Sequence, residues 1–99
     1  MVYFKKKVDI RKGYLYMSFK ILVVDDEIEI ADLIEMYLEN ENYIVYKSYT
    51  GQGALDYIAA EVFDLAILDV MLPDFDGFQI CKTIREKYTY PIIMLTAKY

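Results

Sequence analysis

The sequence has no histidine at all and a single cysteine, Cys81. Without histidine there is no Ser-His-Asp or Cys-His triad, no histidine-based zinc site and no phosphohistidine donor in this chain. One cysteine excludes an internal disulfide and fits a reducing cytosol. Long apolar runs are missing too, so no segment reaches membrane-spanning length. The basic start followed by Tyr14 to Val24 is a poor signal peptide, because Lys20 interrupts the apolar stretch and no small-residue cleavage pattern follows. A soluble, cytoplasmic protein is expected. No internal repeat or low-complexity linker stands out.

Ninety-nine residues suffice for one domain with a real core. The net charge of −5 is unevenly spread: residues 1–16 hold Lys5, Lys6, Lys7, Arg11 and Lys12 against Asp9, which leaves +4 there and −9 in the remainder. So acidic a body should repel nucleic acid, and it suits a basic partner or a bound cation. No nucleic-acid or membrane partner is expected for the chain itself.

Three short, almost wholly apolar runs each end in a polar group. Ile21-Leu22-Val23-Val24 runs into Asp25-Asp26, Leu65-Ala66-Ile67-Leu68 into Asp69, and Ile92-Ile93-Met94-Leu95 into Thr96. Such runs read as central strands of a parallel sheet, whose carboxyl ends share one edge where open α/β sheets bind ligands. Between them, Ile30, Leu33, Ile34, Tyr37 and Leu38 repeat at helical spacing and predict a first helix over about 27–40. Tyr43-Ile44-Val45-Tyr46 reads as the second strand. Thr50-Gly51-Gln52-Gly53 reads as a turn before a second helix marked by Ala54, Leu55, Ile58, Ala59 and Val62. The third strand opens at Asp64, a third helix carries Phe78, Cys81 and Ile84 to about Lys87, and Pro91 starts the fourth strand. Four strands alternating with three helices imply a parallel sheet with helices on both faces.

Three carboxylates and a hydroxyl should therefore converge at one edge. Such a cluster cannot stay fully ionised unless a cation offsets the repulsion. Mg²⁺ is the natural candidate, because it takes oxygen ligands and keeps waters that a phosphate can replace. The same pocket favours phosphoryl chemistry, in which a carboxylate attacks to form an acyl phosphate. Each residue also has a plainer reading. Asp25-Asp26-Glu27 could cap the first helix, Thr96 could be an ordinary strand-end hydroxyl, and Cys81 a small core residue. Asp74 and Asp76 are expected to cap the third helix or shape its approach loop. Asp74-Phe75-Asp76-Gly77 is not a calcium loop, since Leu72 and Thr83 would fall at the first and twelfth ligand positions.

The segments ILVVDDE at 21–27, DLAILDVMLPDFDGFQICKTIRE at 64–86 and PIIMLTAK at 91–98 resemble the receiver domain of two-component response regulators, in the branch usually fused to a winged-helix DNA-binding domain. The resemblance implies a flavodoxin-like, doubly wound parallel sheet and a signalling module, not an enzyme. It implies Asp69 as phosphoacceptor from a sensor histidine kinase, with Asp26, Asp69 and the Met71 backbone carbonyl binding Mg²⁺ and Asp25 acting through a water. Thr96 would hydrogen-bond a phosphoryl oxygen and report phosphorylation to the fold. A haloacid-dehalogenase-like phosphatase also uses a nucleophilic aspartate, but it wants a second aspartate two residues later, where Met71 stands.

Two departures from the family pattern generate further expectations. A complete receiver continues past the fourth strand with a helix, a strand bearing an active-site lysine, and a closing helix, so residues 17–99 read as an incomplete receiver. Lys98 is not expected to replace that lysine, whose loss would cost on the order of 10²–10³ in rate. Uncovered core side chains, each worth roughly 1.5–3 kcal/mol when buried, would erode a net stability of roughly 5–15 kcal/mol. The fourth strand would be an open edge, which predicts self-association there. A non-signalling fragment, or a module that binds a kinase without being switched, is the alternative function. Residues 1–16 form a basic extension ahead of a natural start at Met17, read either as upstream sequence outside the native protein or as an arm for membrane or nucleic acid.

Overall fold

The computed structural model describes residues 5–10 and 13–96, with side chains from Ser18 onward. Its elements are β1 (Lys5–Ile10), β2 (Gly13–Ser18), β3 (Lys20–Val24), α1 (Ile28–Asn40), β4 (Ile44–Ser48), α2 (Gly51–Ala60), β5 (Leu65–Asp69), α3 (Gly77–Arg85) and β6 (Ile92–Leu95). The last four strands make one parallel sheet in the order β4-β3-β5-β6, and β1 and β2 pair antiparallel as a separate ribbon. The strand-helix alternation after Phe19 is the doubly wound arrangement that the sequence predicts.

β3 lies inside the sheet and is apolar on both sides, with Ile21, Leu22, Val23 and Val24 all buried. Alternation along each strand then divides the core between two faces. Leu22, Val24, Ala66 and Leu68 pack with Ala54 and Ile58 of α2 and Ile80 and Ile84 of α3. Ile21 and Val23 face the other way, where α1 contributes Ala31, its one buried residue. One face therefore carries two helices and the other carries one.

The helical faces agree with the sequence reading at Ala54, Ile58 and Ile84 and differ elsewhere in a consistent way. In α1 the large residues Ile30, Leu33 and Tyr37 are exposed, because the helix sits over β3 and β4 and presses its small Ala31 inward. α2 begins at Gly51 and not after Gly53: the Thr50 side chain accepts the Gly53 amide at 3.1 Å, so the predicted turn is the helix's first turn. Its inward stripe is Gly51, Ala54 and Ile58, leaving Ala59 and Val62 exposed. α3 likewise buries Gly77, Ile80 and Ile84 and turns Phe78 to solvent, while Cys81 is half-buried against the core. Small residues set these interfaces because the helices approach the sheet closely.

The ribbon was not anticipated as regular structure. Its second strand crosses Met17, so the basic extension and the following domain share β2.

Candidate functional site

Register aligns the polar strand ends. Val24 of β3 stands opposite Leu68 of β5, and Asp69 opposite Leu95 of β6, so Asp25, Asp69 and Thr96 emerge at neighbouring positions on the carboxyl edge. Carboxylate oxygens of Asp25, Asp26 and Asp69 lie within 4.8 Å of one another. Asp25 is buried, Asp69 partly so, and Asp26 exposed. A cleft of about 310 Å³ opens above them, lined by Asp26, Asp69, Met71 and Thr96 among others. A neighbouring hollow joins Asp25, Asp69 and Thr96 to Ile30 and Leu95.

Each acid is fixed by its local backbone. The Asp25 amide donates to the Ser48 carbonyl at 3.1 Å, and its carboxylate accepts the Glu27 amide at 2.9 Å. The capping reading of this run does not hold: the N-cap of α1 is Glu27, which makes no side-chain cap hydrogen bond, and the Asp25 carboxylate shapes only the turn that leads into the helix. Asp69 accepts the Met71 amide at 3.1 Å, which curls the chain back over the strand end. Burial pushes the Asp69 carboxyl above its usual range, and the adjacent Asp25 charge adds to the rise, against the lowering effect of the Met71 amide. A pocket that strains to keep this carboxylate ionised suits a hard cation, and every side-chain donor in the cluster is an oxygen.

The loop between β5 and α3 is tied down at three points that the sequence did not single out as a unit. Met71 and Asp76 form an antiparallel bridge. The Gly77 amide donates to the Val70 carbonyl at 2.8 Å, and a Cβ at Gly77 would collide with the Asp69 carbonyl oxygen and Val70 Cα. Only glycine permits that approach. Asp76 caps α3 in a reciprocal box with Gln79, as expected of it. Asp74 does something else: its carboxylate accepts the Gly51 and Gln52 amides at 2.8 and 2.9 Å and so caps α2, not α3. No spacing rule links residues so far apart. Lys98 lies outside the described residues.

A second charged group sits away from the cleft. Lys47 of β4 donates to Asp32 and Glu35 of α1, both at 2.7 Å, and Tyr49 donates to Asp32 at 2.6 Å. These contacts raise the Lys47 pKa and lower that of Asp32. The group fastens α1 to the β4 edge. Around the opposite, amino-terminal end of the sheet, Phe63 meets Tyr46 and Tyr90 edge to face.

An acidic carboxyl edge with a strand-end hydroxyl, on a doubly wound sheet, defines a class, and comparison with known proteins places the chain in it. Residues 21–99 match the response regulator receiver domain, and the chain belongs to that family. It is 63% identical over 82 residues to the regulatory protein VanR of Enterococcus faecium, covering 83% of this chain and 36% of VanR. The chain thus spans about a third of the length of that relative. Among solved structures, the chemotaxis response regulator CheY4 of Vibrio cholerae superposes with a TM-score of 0.79 at 33% identity, covering 83% of this chain and 71% of CheY4. The fold is therefore the flavodoxin-like receiver fold. Response regulator TrrA of Thermotoga maritima, solved in complex with Mg²⁺ and BeF, matches with a TM-score of 0.74 at 37% identity over 81% of this chain and 70% of TrrA. DrrB, an OmpR/PhoB homologue from the same organism, is a further neighbour, consistent with the winged-helix branch. Among the described residues no helix is long and apolar enough to cross a membrane.

Proposed function

We propose that this chain is a phosphoacceptor that takes a phosphoryl group onto Asp69 from the phosphohistidine of a sensor kinase in the cytoplasm. The observation that carries the reading is the convergence of three carboxylates within 4.8 Å beside a cleft that Thr96 also lines. An Asp69 carboxylate oxygen attacks phosphorus, the phosphorus-nitrogen bond to the donor histidine breaks, and the freed imidazole nitrogen takes a proton. Asp26, Asp69 and the Met71 carbonyl are the ligands for Mg²⁺, with Asp25 acting through a water. When bound, the cation neutralises charge on the transferring oxygens. Asp25 is held in place by the Ser48 carbonyl and the Glu27 amide, so its carboxylate is positioned at the edge before anything binds. The Thr96 hydroxyl donates to a phosphoryl oxygen and so senses the modified state.

The test is incubation of the chain with Mg²⁺ and a small phosphoryl donor, followed by intact mass measurement and hydroxylamine treatment. One hydroxylamine-labile phosphoryl group, absent from the Asp69→Asn variant and from samples with EDTA, is the expected result. Binding of Mg²⁺ without any phosphoryl transfer would leave a kinase-docking module in place of a phosphoacceptor.

A further inference from the structure

The two sides of the acidic edge come from different strands, Asp25 and Asp26 after β3 and Asp69 with Met71 at the end of β5. The ladder between those strands stops at the Val24–Leu68 pair, so backbone pairing no longer sets their spacing where the carboxylates emerge. A second connection closes the circle, and it runs through the first turn of α2. On the β3 side, the Asp25 amide donates to the Ser48 carbonyl. The buried Ser48 then exchanges hydrogen bonds with Thr50, the cap of α2: its hydroxyl donates to the Thr50 carbonyl at 2.8 Å and accepts the Thr50 amide at 3.2 Å.

On the β5 side, the loop after Asp69 is closed at its base by the Gly77–Val70 hydrogen bond and the Met71–Asp76 bridge. Its tip is held from outside by Asp74, whose two carboxylate oxygens take the Gly51 and Gln52 amides. Phe75 of the same tip lies so close to Gly51 that a Cβ there would stand 2.8 Å from the Phe75 Cβ and 2.9 Å from Asp74 Oδ1. The bare Gly51 backbone lets the tip rest on α2, and a side chain would lift it.

Spacing matters differently to different cations. Mg²⁺ demands a near-ideal octahedron at about 2.0–2.1 Å, whereas Ca²⁺ takes more oxygens at about 2.3–2.6 Å in a flexible arrangement. Groups that hold metal ligands from behind control affinity, and losing one costs roughly 10–100-fold. A site whose two sides are braced apart at a fixed distance therefore favours the smaller, stricter ion.

We propose that Asp74 and Gly51 are positioning residues: through the first turn of α2 they set the Met71 and Asp69 side of the edge against the Asp25 and Asp26 side, and so make the site prefer Mg²⁺ to Ca²⁺. Neither is a metal ligand, since Asp74 spends both oxygens on α2. The proposal rests on Met71 and the three aspartates as the metal-holding set, and it does not require phosphoryl transfer.

Isothermal titration calorimetry of the full chain with Mg²⁺ and, separately, with Ca²⁺ reads the effect. Asp74→Ala should weaken Mg²⁺ binding roughly 10–100-fold and Ca²⁺ binding by no more than about threefold. Gly51→Ala changes no charge and should act in the same direction. Asp74→Asn keeps one acceptor oxygen and should fall between the parent and Asp74→Ala. Ile58→Val, which loosens the buried stripe of α2 without touching the loop, is the stability control and should leave both affinities unchanged. In the parent, Mg²⁺ should slow hydrogen exchange at the Gly51 and Gln52 amides, because coupling between two places is reciprocal.

Equal weakening of Mg²⁺ and Ca²⁺ by Asp74→Ala would make Asp74 a distant charge and overturn the proposal. So would unchanged Mg²⁺ affinity in the variants that circular dichroism shows to be folded, or exchange at Gly51 and Gln52 that is indifferent to Mg²⁺. If Asp74→Ala fails to fold, Gly51→Ala and Asp74→Asn carry the comparison. A parent that binds neither cation overturns the metal assignment and the proposal with it, whereas one that binds Mg²⁺ yet takes no phosphoryl group overturns the phosphoacceptor reading alone.

Discussion

Asp74 Oδ1 accepts the backbone amide of Gly51 at 2.8 Å, joining the loop that follows Asp69 to the first turn of a helix 23 residues earlier in the chain. The second oxygen of the same carboxylate takes the Gln52 amide. One side chain thus satisfies two of the amides that a helix start leaves open, and fixes the cleft loop by the same contacts.

Replacing Asp74 by Ala should lower the melting temperature and loosen the loop around Met71. The Gln52 amide, ahead of that of Gly51, holds the Asp74 carboxyl below its usual value of 3.8. Its contribution is therefore present above pH 3.8 and is lost as pH falls through the lowered folded value. Melting curves of parent and variant should separate at neutrality and converge in strong acid.

Asp69 carries the opposite sign. Burial, joined by the Asp25 charge, raises its carboxyl above 3.8, so the folded chain favours the protonated acid and loses stability as pH rises through the raised value. Asp69→Asn should accordingly raise the melting temperature of the metal-free protein at neutrality, with the difference shrinking as pH falls toward 3.8. Millimolar Mg²⁺ should raise the melting temperature of the parent at neutral pH and do so less for the variant. A larger Mg²⁺ effect on Asp69→Asn would contradict the assigned ligand set.

Gly77→Ala should damage fold and site together. The added methyl meets the Asp69 carbonyl oxygen and the Val70 Cα, both backbone atoms at the end of β5. Overpacking of this kind costs roughly 1–3 kcal/mol. Chemical denaturation should show that loss, and Mg²⁺ titration should show weaker binding in the fraction that remains folded.

Tyr90→Phe should be neutral or stabilising by up to about 1 kcal/mol. The Tyr90 hydroxyl is buried without a hydrogen-bond partner among the described residues. Burial, with the Tyr88 phenol adding to it, pushes this hydroxyl up to about 12. Removing it relieves an unpaired group and should also reduce alkaline unfolding between pH 10 and 12, which urea melts across that range would register.

The succession of strands along the chain was legible in the sequence because buried parallel strands are continuous apolar runs, and the polar residue closing each run marks the carboxyl edge; the order β4-β3-β5-β6 within the sheet was not. Asp25, Asp26, Asp69 and Thr96 could be brought together on that ground alone, and the family resemblance added Met71 and the assigned roles. Helix faces were less legible. Counting apolar residues picked Ala54, Ile58 and Ile84 rightly but also Leu33, Tyr37 and Phe78, whereas α1 and α3 press the small Ala31 and Gly77 inward, since closeness of approach favours what is small. The second job of Asp74 and the pinch at Gly77 are tertiary facts between backbone segments, and no local pattern announces them. The β1–β2 ribbon had a period-two signal in Val8, Ile10, Leu15 and Met17, overshadowed by its run of lysines.

The aromatic contacts around Phe63 also give the molecule its own optical probe. Tyr46 and Tyr90 meet Phe63 and Tyr57 meets Tyr46, and the chain has no tryptophan to mask tyrosine emission. Because these rings gather toward the end of the sheet away from the acidic cleft, their fluorescence will report global unfolding while staying nearly silent to occupancy of the cleft. A separate variant with one tryptophan at Met71 would supply the complementary signal from the cleft, read in its own titration beside that of the tryptophan-free parent.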